Sequence, residues 1–167
     1  MLSPILSRTE CAKCKICCIF DSYDLWETPY ITRELAAKII QEIKPDQQFV
    51  KKEDHFLLKM EKEKDADLYY CPLLDQEKGC ILGDEKPFDC QIWPFRIMHL
   101  GSKRVITLSP VCPNISERSV KAVREMAEQI SDRIFEYADE NPDAVKPYIE
   151  GYPIIIVEKD KFKSTLL

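Results

Sequence analysis

Eight cysteines are the residues of this chain whose type and spacing could do chemistry, and four of them lie within eight positions. They read Cys11-Ala-Lys-Cys14-Lys-Ile-Cys17-Cys18. Two successive C-x-x-C steps allow tight turns to direct several sulfurs at one centre, while free backbone amides point at the same sulfurs. Zinc ribbons and iron–sulfur ferredoxins both use this spacing. The octapeptide therefore predicts thiolate ligation of a metal.

The adjacent pair Cys17 and Cys18 adds a constraint. Neighbouring side chains of an extended backbone point to opposite faces. The pair can serve one centre only if the backbone bends there. Otherwise it serves two centres, or one thiol ligates while the other packs.

A second group of cysteines follows after 52 intervening residues and comprises Cys71, Cys80, Cys90 and Cys112. Cys71 and Cys112 each precede a proline, a dipeptide that also closes bacterial ferredoxin ligand runs. A metal held by both groups would join distant parts of the chain, so its loss should cost folding as well as chemistry. We expect all eight cysteines to be metal ligands.

A disulfide scaffold and buried apolar thiols account for the cysteines less well than a metal does. Residues Met1 to Glu10 hold one arginine and no long apolar run, so we expect no secretory signal and a cytoplasmic protein. Reducing conditions there disfavour a disulfide scaffold. Buried apolar thiols would account for one or two scattered cysteines but not for a cluster.

The identity of the metal is less closely determined. All-sulfur ligation suits an iron–sulfur cluster and zinc equally. The repeated two-residue gaps and the Cys-Pro pairs favour an iron–sulfur cluster, [4Fe–4S] first, with zinc as the alternative. We expect His55 to be solvated within its charged stretch, and His99 to be an outer-shell donor or an ordinary strand histidine.

Composition and charge exclude two classes of partner. The formal net charge is −5, and basic and acidic residues alternate without a basic stripe, which argues against nucleic-acid binding. The apolar run from Ile154 to Val157 is far too short to span a membrane.

The pattern of apolar residues predicts one α+β domain over 1–167. A small cysteine core over 11–113 should contain irregular metal-binding loops and one or two short hairpins, followed by a helical scaffold over 114–167. We place the first cysteine cluster, 9–20, in a loop or tight turns. A hairpin is expected around the charged stretch Glu61 to Asp65, and a short helix around 143–149.

Three regular elements have clear patterns. Helical spacing of apolar residues predicts a helix from Thr32 to Lys44. Alternation predicts strands Phe95 to Leu100 and Lys103 to Leu108, joined at Gly101-Ser102. A longer helix should run from about Ser116 to Glu140.

The long helix should carry one apolar face, formed by Val120, Val123, Ala127, Ile130, Ile134 and Ala138. Asn114 and Glu117 match a capping box at its start. We expect this face to pack on the first helix, and the helix N-terminus to lie close to Cys112.

The order of the cysteine motifs resembles a known family. Cys11 to Cys18 matches the CxxCxxCC signature of the YkgJ-type cysteine-cluster proteins, described as a zinc- or iron-chelating domain. The family continues with a Cys-Pro, a Gly-Cys, a segment like RPxxCRxFPF and a late cysteine. The matching segments here, spread over about residues 11 to 113, are Cys71-Pro72, Gly79-Cys80, Lys86-Pro87-Phe88-Asp89-Cys90-Gln91-Ile92-Trp93-Pro94-Phe95 and Cys112.

The chain departs from the family at four positions. Lys86 and Gln91 stand where the family favours arginine, Trp93 replaces a smaller aromatic residue, and Gly83 falls where an aromatic residue is usual. A branch of the family is similar to flagellin lysine N-methylases, which implies methyl transfer by analogy alone. The chain has no glycine-rich nucleotide loop that would support that activity.

Three functions are therefore open at this point. The first is an iron–sulfur protein in electron transfer or protein modification. The second is a zinc- or iron-chelating module that stores or carries metal, and the third is a structural zinc protein that binds a protein partner. The sequence does not decide whether the chain is an enzyme. Trp93, Pro94 and Phe95, with Ile92, should form an apolar lid over the second cysteine group.

Overall fold

The computed structural model describes residue 2 and the ranges 4–23, 28–62 and 67–159. Its helices are α1 (Arg8–Cys14), α2 (Arg33–Lys38, continued by a π-helical turn Ile39–Ile43), α3 (Phe88–Ile92), α4 (Pro113–Ser116) and α5 (Val120–Glu140). Short 3₁₀ turns occupy Ile16–Cys18, Gly83–Glu85 and Pro142–Ala144.

The strands are short apart from one central pair. They are β1 (Ile19–Phe20), β2 (Phe49–Lys51), β3 (Phe56–Leu58), β4 (Tyr69–Tyr70), β5 (Leu74–Asp75), β6 (Gly79–Cys80), β7 (Phe95–Leu100), β8 (Lys103–Leu108), β9 (Lys146–Pro147) and β10 (Ile154–Val157). Together with the helices they form one α+β domain, which confirms the fold class expected from the sequence.

The largest sheet has four strands in the order β10-β8-β7-β9. Strands β7 and β8 form the predicted hairpin, in which Phe95 pairs with Leu108 and Leu100 pairs with Lys103. Gly101 adopts φ +60 in the connecting turn, a conformation that glycine enters without steric cost. The remaining pairs, β1–β4, β2–β3 and β5–β6, are separate two-stranded ribbons.

Helix α5 begins later than its predicted capping box. The Asn114–Glu117 box is wrong, because Pro113 with its fixed φ instead starts the short helix α4 directly after Cys112. That helix stops at Ser116, and Ser119 caps α5 by accepting a hydrogen bond from the Ala122 amide at 3.2 Å.

Two hydrophobic cores make up the interior. In the first, α5 packs on the large sheet, with fully buried Phe95, Ile106 and Ile134. The second surrounds α2 and contains Ile39, Leu58 and Leu73. We expected α5 to pack on the helix predicted from Thr32 to Lys44, which is α2. That expectation is wrong, because the alternating apolar face of β7 and β8 offers α5 a broader surface.

The first cysteine cluster is helical up to Cys14, contrary to expectation, whereas Cys17 and Cys18 lie in a short 3₁₀ turn of the kind expected. Residues Ser7 to Glu10 form a capping box: the Ser7 amide donates to Glu10 Oε2 at 2.8 Å, and the Glu10 amide donates to Ser7 Oγ at 3.1 Å. This reciprocal pair satisfies two amides at the start of α1. The helix ends at Cys14, and Lys15 turns the chain with φ 58.

Two smaller expectations also need correction. The hairpin expected around Glu61 to Asp65 is reduced to a single antiparallel bridge between Lys62 and Tyr69. The paired strands nearby are β2–β3 and β1–β4. Part of that stretch, 63–66, lies outside the described residues. The short helix expected around 143–149 is a 3₁₀ turn over Pro142–Ala144 followed by β9.

We predict that Ile130→Ala lowers the free energy of unfolding by about 2–5 kcal/mol, because it leaves a cavity in the first core. Ile130 is 7% exposed, whereas Val120 is 81% exposed, so the expectation that Val120 belongs to the apolar face is wrong. Val120→Ala is the matched control and should change stability by less than about 0.5 kcal/mol. Urea denaturation of both variants measures this, and equal stabilities would show that the helix face is not core.

Candidate metal centre

Six of the eight cysteines line one cavity of about 340 Å³; they are Cys11, Cys17, Cys18, Cys71, Cys80 and Cys90. Its apolar wall includes Leu6 of the first core and Phe20, Leu73 and Leu82 of the second. The sulfurs therefore gather at the boundary between the two cores.

Strand pairing brings the two cysteine groups together. Strands β1 and β4 align Ile19 with Tyr70, immediately next to Cys18 and Cys71. The Cys71 amide donates to the Cys18 carbonyl at 2.9 Å. Backbone hydrogen bonds thus hold these two cysteines on adjacent strand segments, although they are far apart in the sequence.

Helix α1 lies against β6 on another side of the cavity. Gly79 adopts φ +80, and a Cβ added there would lie 3.2 Å from the Ala12 Cβ. Lys15, at the end of α1, donates to both the backbone and the side-chain oxygens of Gln76. These contacts hold the helix that carries Cys11 beside the strand that carries Cys80.

Burial and mutual repulsion govern the ionisation of the sulfurs. A hydrogen bond to Cys18, followed by burial, raises the pKa of the Cys17 thiol. The bond with Cys17 lowers the pKa of Cys18, but the bond with Cys71 and burial outweigh it and raise the value to about 12. Burial, then repulsion from Cys17, raises the pKa of Cys90 well above its usual value. These cysteines are neutral thiols near pH 7, so binding a metal through them must release protons.

Backbone amides and one lysine partly oppose this rise in the pKa of the thiols. Burial raises the pKa of Cys80, but the amides of Leu82 and Gly83 and the Lys86 ammonium favour its thiolate. Lys86 lines the cavity and also lowers the pKa of Cys11 and of Cys17, against the larger effect of burial or hydrogen bonding. The amides expected to point at the sulfurs are thus present at Cys80.

Cys14 and Cys112 lie beside the cavity rather than on its wall. Cys112 is buried in the first core, where burial raises its pKa while the amides of Ile115 and Asn114 oppose the shift. Its side chain makes no regular capping hydrogen bond to α4. A thiolate at Cys14 would repel those of Cys11 and Cys112, so all eight cysteines form one continuous electrostatic group.

Neighbouring thiols interact, but they do not form a ready-made ion site among the described residues. Within the described part of the chain, no three His, Cys, Asp or Glu side chains are placed to hold a metal ion. A tetrahedral zinc with bonds of about 2.3 Å needs sulfurs about 3.8 Å apart. Here the thiols of Cys17, Cys18 and Cys71 interact in succession, and all eight cysteines are free thiols.

The histidines lie away from the sulfurs. The expectation that His55 is solvated is wrong, because it is 4% exposed and stacks on Tyr30 with ring centroids 4.6 Å apart. The turn between β2 and β3, in which the Lys52 amide bonds to the His55 carbonyl, directs the ring inward. His99 is exposed on β7 and does not line the cavity.

The aromatic segment after Cys90 forms only part of the expected lid. Trp93 lines the cavity, and the Arg96 guanidinium lies 5.0 Å from the centre of its ring. Ile92 and Phe95 are instead buried in the first core.

The charged residues around the site do not stand out in the sequence. Lys86 is conspicuous there only because it departs from the family pattern, and neither Asp89 nor Lys146 is marked by its position. Lys146 is fully buried, and its Nζ lies 3.9 Å from Asp89 Oδ2. No local pattern indicates these residues, because they meet only in the folded chain.

No family model matches the chain, and neither does any curated protein or solved structure. Among the helices described, none is long and apolar enough to cross a membrane.

Gly79→Ala should destabilise the protein more than Gly101→Ala. Both positions have positive φ, which costs an alanine roughly 1–2 kcal/mol. Only at Gly79 does the new methyl group also press on Ala12, whereas nothing lies within 4 Å at Gly101.

The comparison is made by urea denaturation, together with alkylation of the metal-free protein by iodoacetamide. Displacement of α1 should make Cys11 react faster in Gly79→Ala alone. Identical stabilities and alkylation rates in the two variants would show that the α1–β6 contact does not hold the site together.

Proposed function

We propose that this chain binds an iron–sulfur cluster, [4Fe–4S] first, through cysteine thiolates in the cytoplasm. The observation that carries the proposal is the lining of one cavity by six cysteines at the boundary of the two cores. Clusters of this kind are held by four cysteine thiolates, so the cavity offers enough ligands for one. The resemblance to the YkgJ-type cysteine-cluster proteins supports metal binding by these six cysteines. Cys14 and Cys112, which the sequence also predicts as ligands, do not line the cavity.

The surroundings of the sulfurs support a redox or protein-modification role. Lys86 and the amides of Leu82 and Gly83 favour thiolate at Cys80. Hydrogen bonds to ligand sulfurs and nearby positive charge make a cluster easier to reduce. When bound, the cluster would supply electron transfer, while these residues would set its potential and the apolar wall would exclude water.

A zinc- or iron-chelating module, or a structural zinc module without catalytic activity, is the second candidate. It is favoured by the succession of interacting thiols Cys17, Cys18 and Cys71, which includes members of both cysteine groups. A zinc ion that drew these sulfurs together would join the two cysteine groups and contribute directly to folding. A protein partner would then be the functional target.

Metal analysis after anaerobic purification decides between these candidates. We expect a brown protein with broad visible absorption, containing iron and acid-labile sulfide in equal amounts. Zinc at one or two atoms per chain without sulfide would instead support the second candidate. A chain that takes up neither iron and sulfide nor zinc would refute both.

Cys90→Ser should lose most of the bound metal and part of the stability, because a hydroxyl is a poor ligand in a desolvated position. Cys14→Ser is the matched control, since Cys14 does not line the cavity. Iron per chain and thermal stability are measured for both. Unchanged metal content in Cys90→Ser, or an equal loss in both variants, would contradict the proposed cavity site.

A further inference from the structure

Asp89 connects three separate segments directly behind the sulfur cavity. It precedes Cys90 on α3, and its Oδ2 accepts a hydrogen bond from the Tyr30 amide at 3.0 Å. The same oxygen lies 3.9 Å from the Lys146 Nζ. One carboxylate therefore links the helix that carries Cys90 to the chain at Tyr30 and to strand β9.

Lys146 anchors this group to the large sheet. It is 2% exposed, and β9 pairs with β7 at Met98. A buried ammonium is costly unless an opposite charge compensates it, and Asp89 supplies one such charge. The pairing with Asp89 therefore favours one placement of α3 against the sheet.

Tyr30 holds α3 from the other side. Its ring is buried and stacks on His55, while the neighbouring Ile31 belongs to the second core. The hydrogen bond from the Tyr30 amide thus ties Asp89 to the second core, as Lys146 ties it to the first. Cys90 follows in the same helical turn, so its position depends on both attachments.

We propose that Asp89 is a positioning residue of the sulfur site, which fixes Cys90 at the cavity wall and places a negative charge next to it. This inference rests on the proposed function, because it concerns the metal that Cys90 would help to hold. Outer partners of this kind typically change metal affinity by about 10–100-fold when they are removed.

The charge of Asp89 acts on the site more directly than that of Lys146. Asp89 directly precedes Cys90 on α3, whereas Lys146 lies on β9 and approaches the site through Asp89, with its Nζ 3.9 Å from Asp89 Oδ2. Adding an electron to a bound cluster is opposed by the nearer negative charge. Asp89 should therefore lower the reduction potential, and Lys146 should offset this only in part.

The first arm of the test measures reduction potential on the cluster-loaded full chain. Asp89→Asn keeps an oxygen for the Tyr30 amide but removes the charge, so the potential should become more positive. Asp89→Asn/Lys146→Met should shift it in the same direction by a smaller amount. Asp132→Asn on the exposed face of α5 is the control and should leave the potential unchanged.

The second arm measures metal retention during a challenge with EDTA. Asp89→Ala/Lys146→Met and Asp89→Asn/Lys146→Met remove the same two charges, but only the second keeps the acceptor for Tyr30. The alanine variant should lose metal about 10-fold faster or more. Circular dichroism establishes that both are folded. If the wild-type chain carries zinc, zinc retention is compared in the same way.

The outcomes separate this inference from the proposed function. A wild-type chain without metal overturns the proposed function and this inference with it. A loaded wild-type chain whose two double variants retain metal equally overturns the positioning role of Asp89 alone. An unchanged potential in Asp89→Asn likewise overturns its charge role while leaving the cluster assignment intact.

Discussion

Desolvation of clustered thiols is the constraint on which the rest of the structure depends. Cys17, Cys18 and Cys90 line the cavity between two apolar cores, and each has a raised pKa. Hydrogen bonds between thiols, together with burial, raise the pKa of Cys17 and Cys18, and burial raises that of Cys90. Neutral thiols tolerate this position because a thiol behaves as a small apolar group. A bound metal favours the thiolate over the thiol instead, because coordination deprotonates a thiol outright. The same site thus accommodates free thiols and would favour thiolates once a cation is present.

The position of the cavity couples this chemistry to folding. A direct link across the boundary is the close approach of Gly79 to Ala12, since the adjacent Cys80 packs on the second core and the adjacent Cys11 on the first. A metal bound by cysteines of both groups would add a strong link between the cores. Its binding energy would then contribute to the stability of the domain as a whole.

Local sequence patterns predict the elements that depend mainly on residues close to one another in the sequence. The β7–β8 hairpin follows from alternation and a glycine turn at Gly101, and the apolar face of α5 follows from helical spacing. The same reasoning fails for α1, because the cysteine spacing indicates turns while the capping box begun by Ser7 starts a helix. It fails for His55 because inward rotation of the ring depends on Tyr30, which lies in another segment.

Cysteine spacing anticipates that the two cysteine groups meet, and six of the eight cysteines line the cavity, but it does not anticipate that Cys14 and Cys112 lie off its wall. The charges of the site are not predictable from the sequence in this way. The balance of charge around the sulfurs is set instead by Lys86 on the cavity wall and by Asp89 with the buried Lys146. These residues come from the end of a 3₁₀ turn, a helix and a strand, and no periodicity links them. Because each charge acts over distances fixed only by tertiary packing, the metal preference and potential of such a site are properties of the fold rather than of its motif.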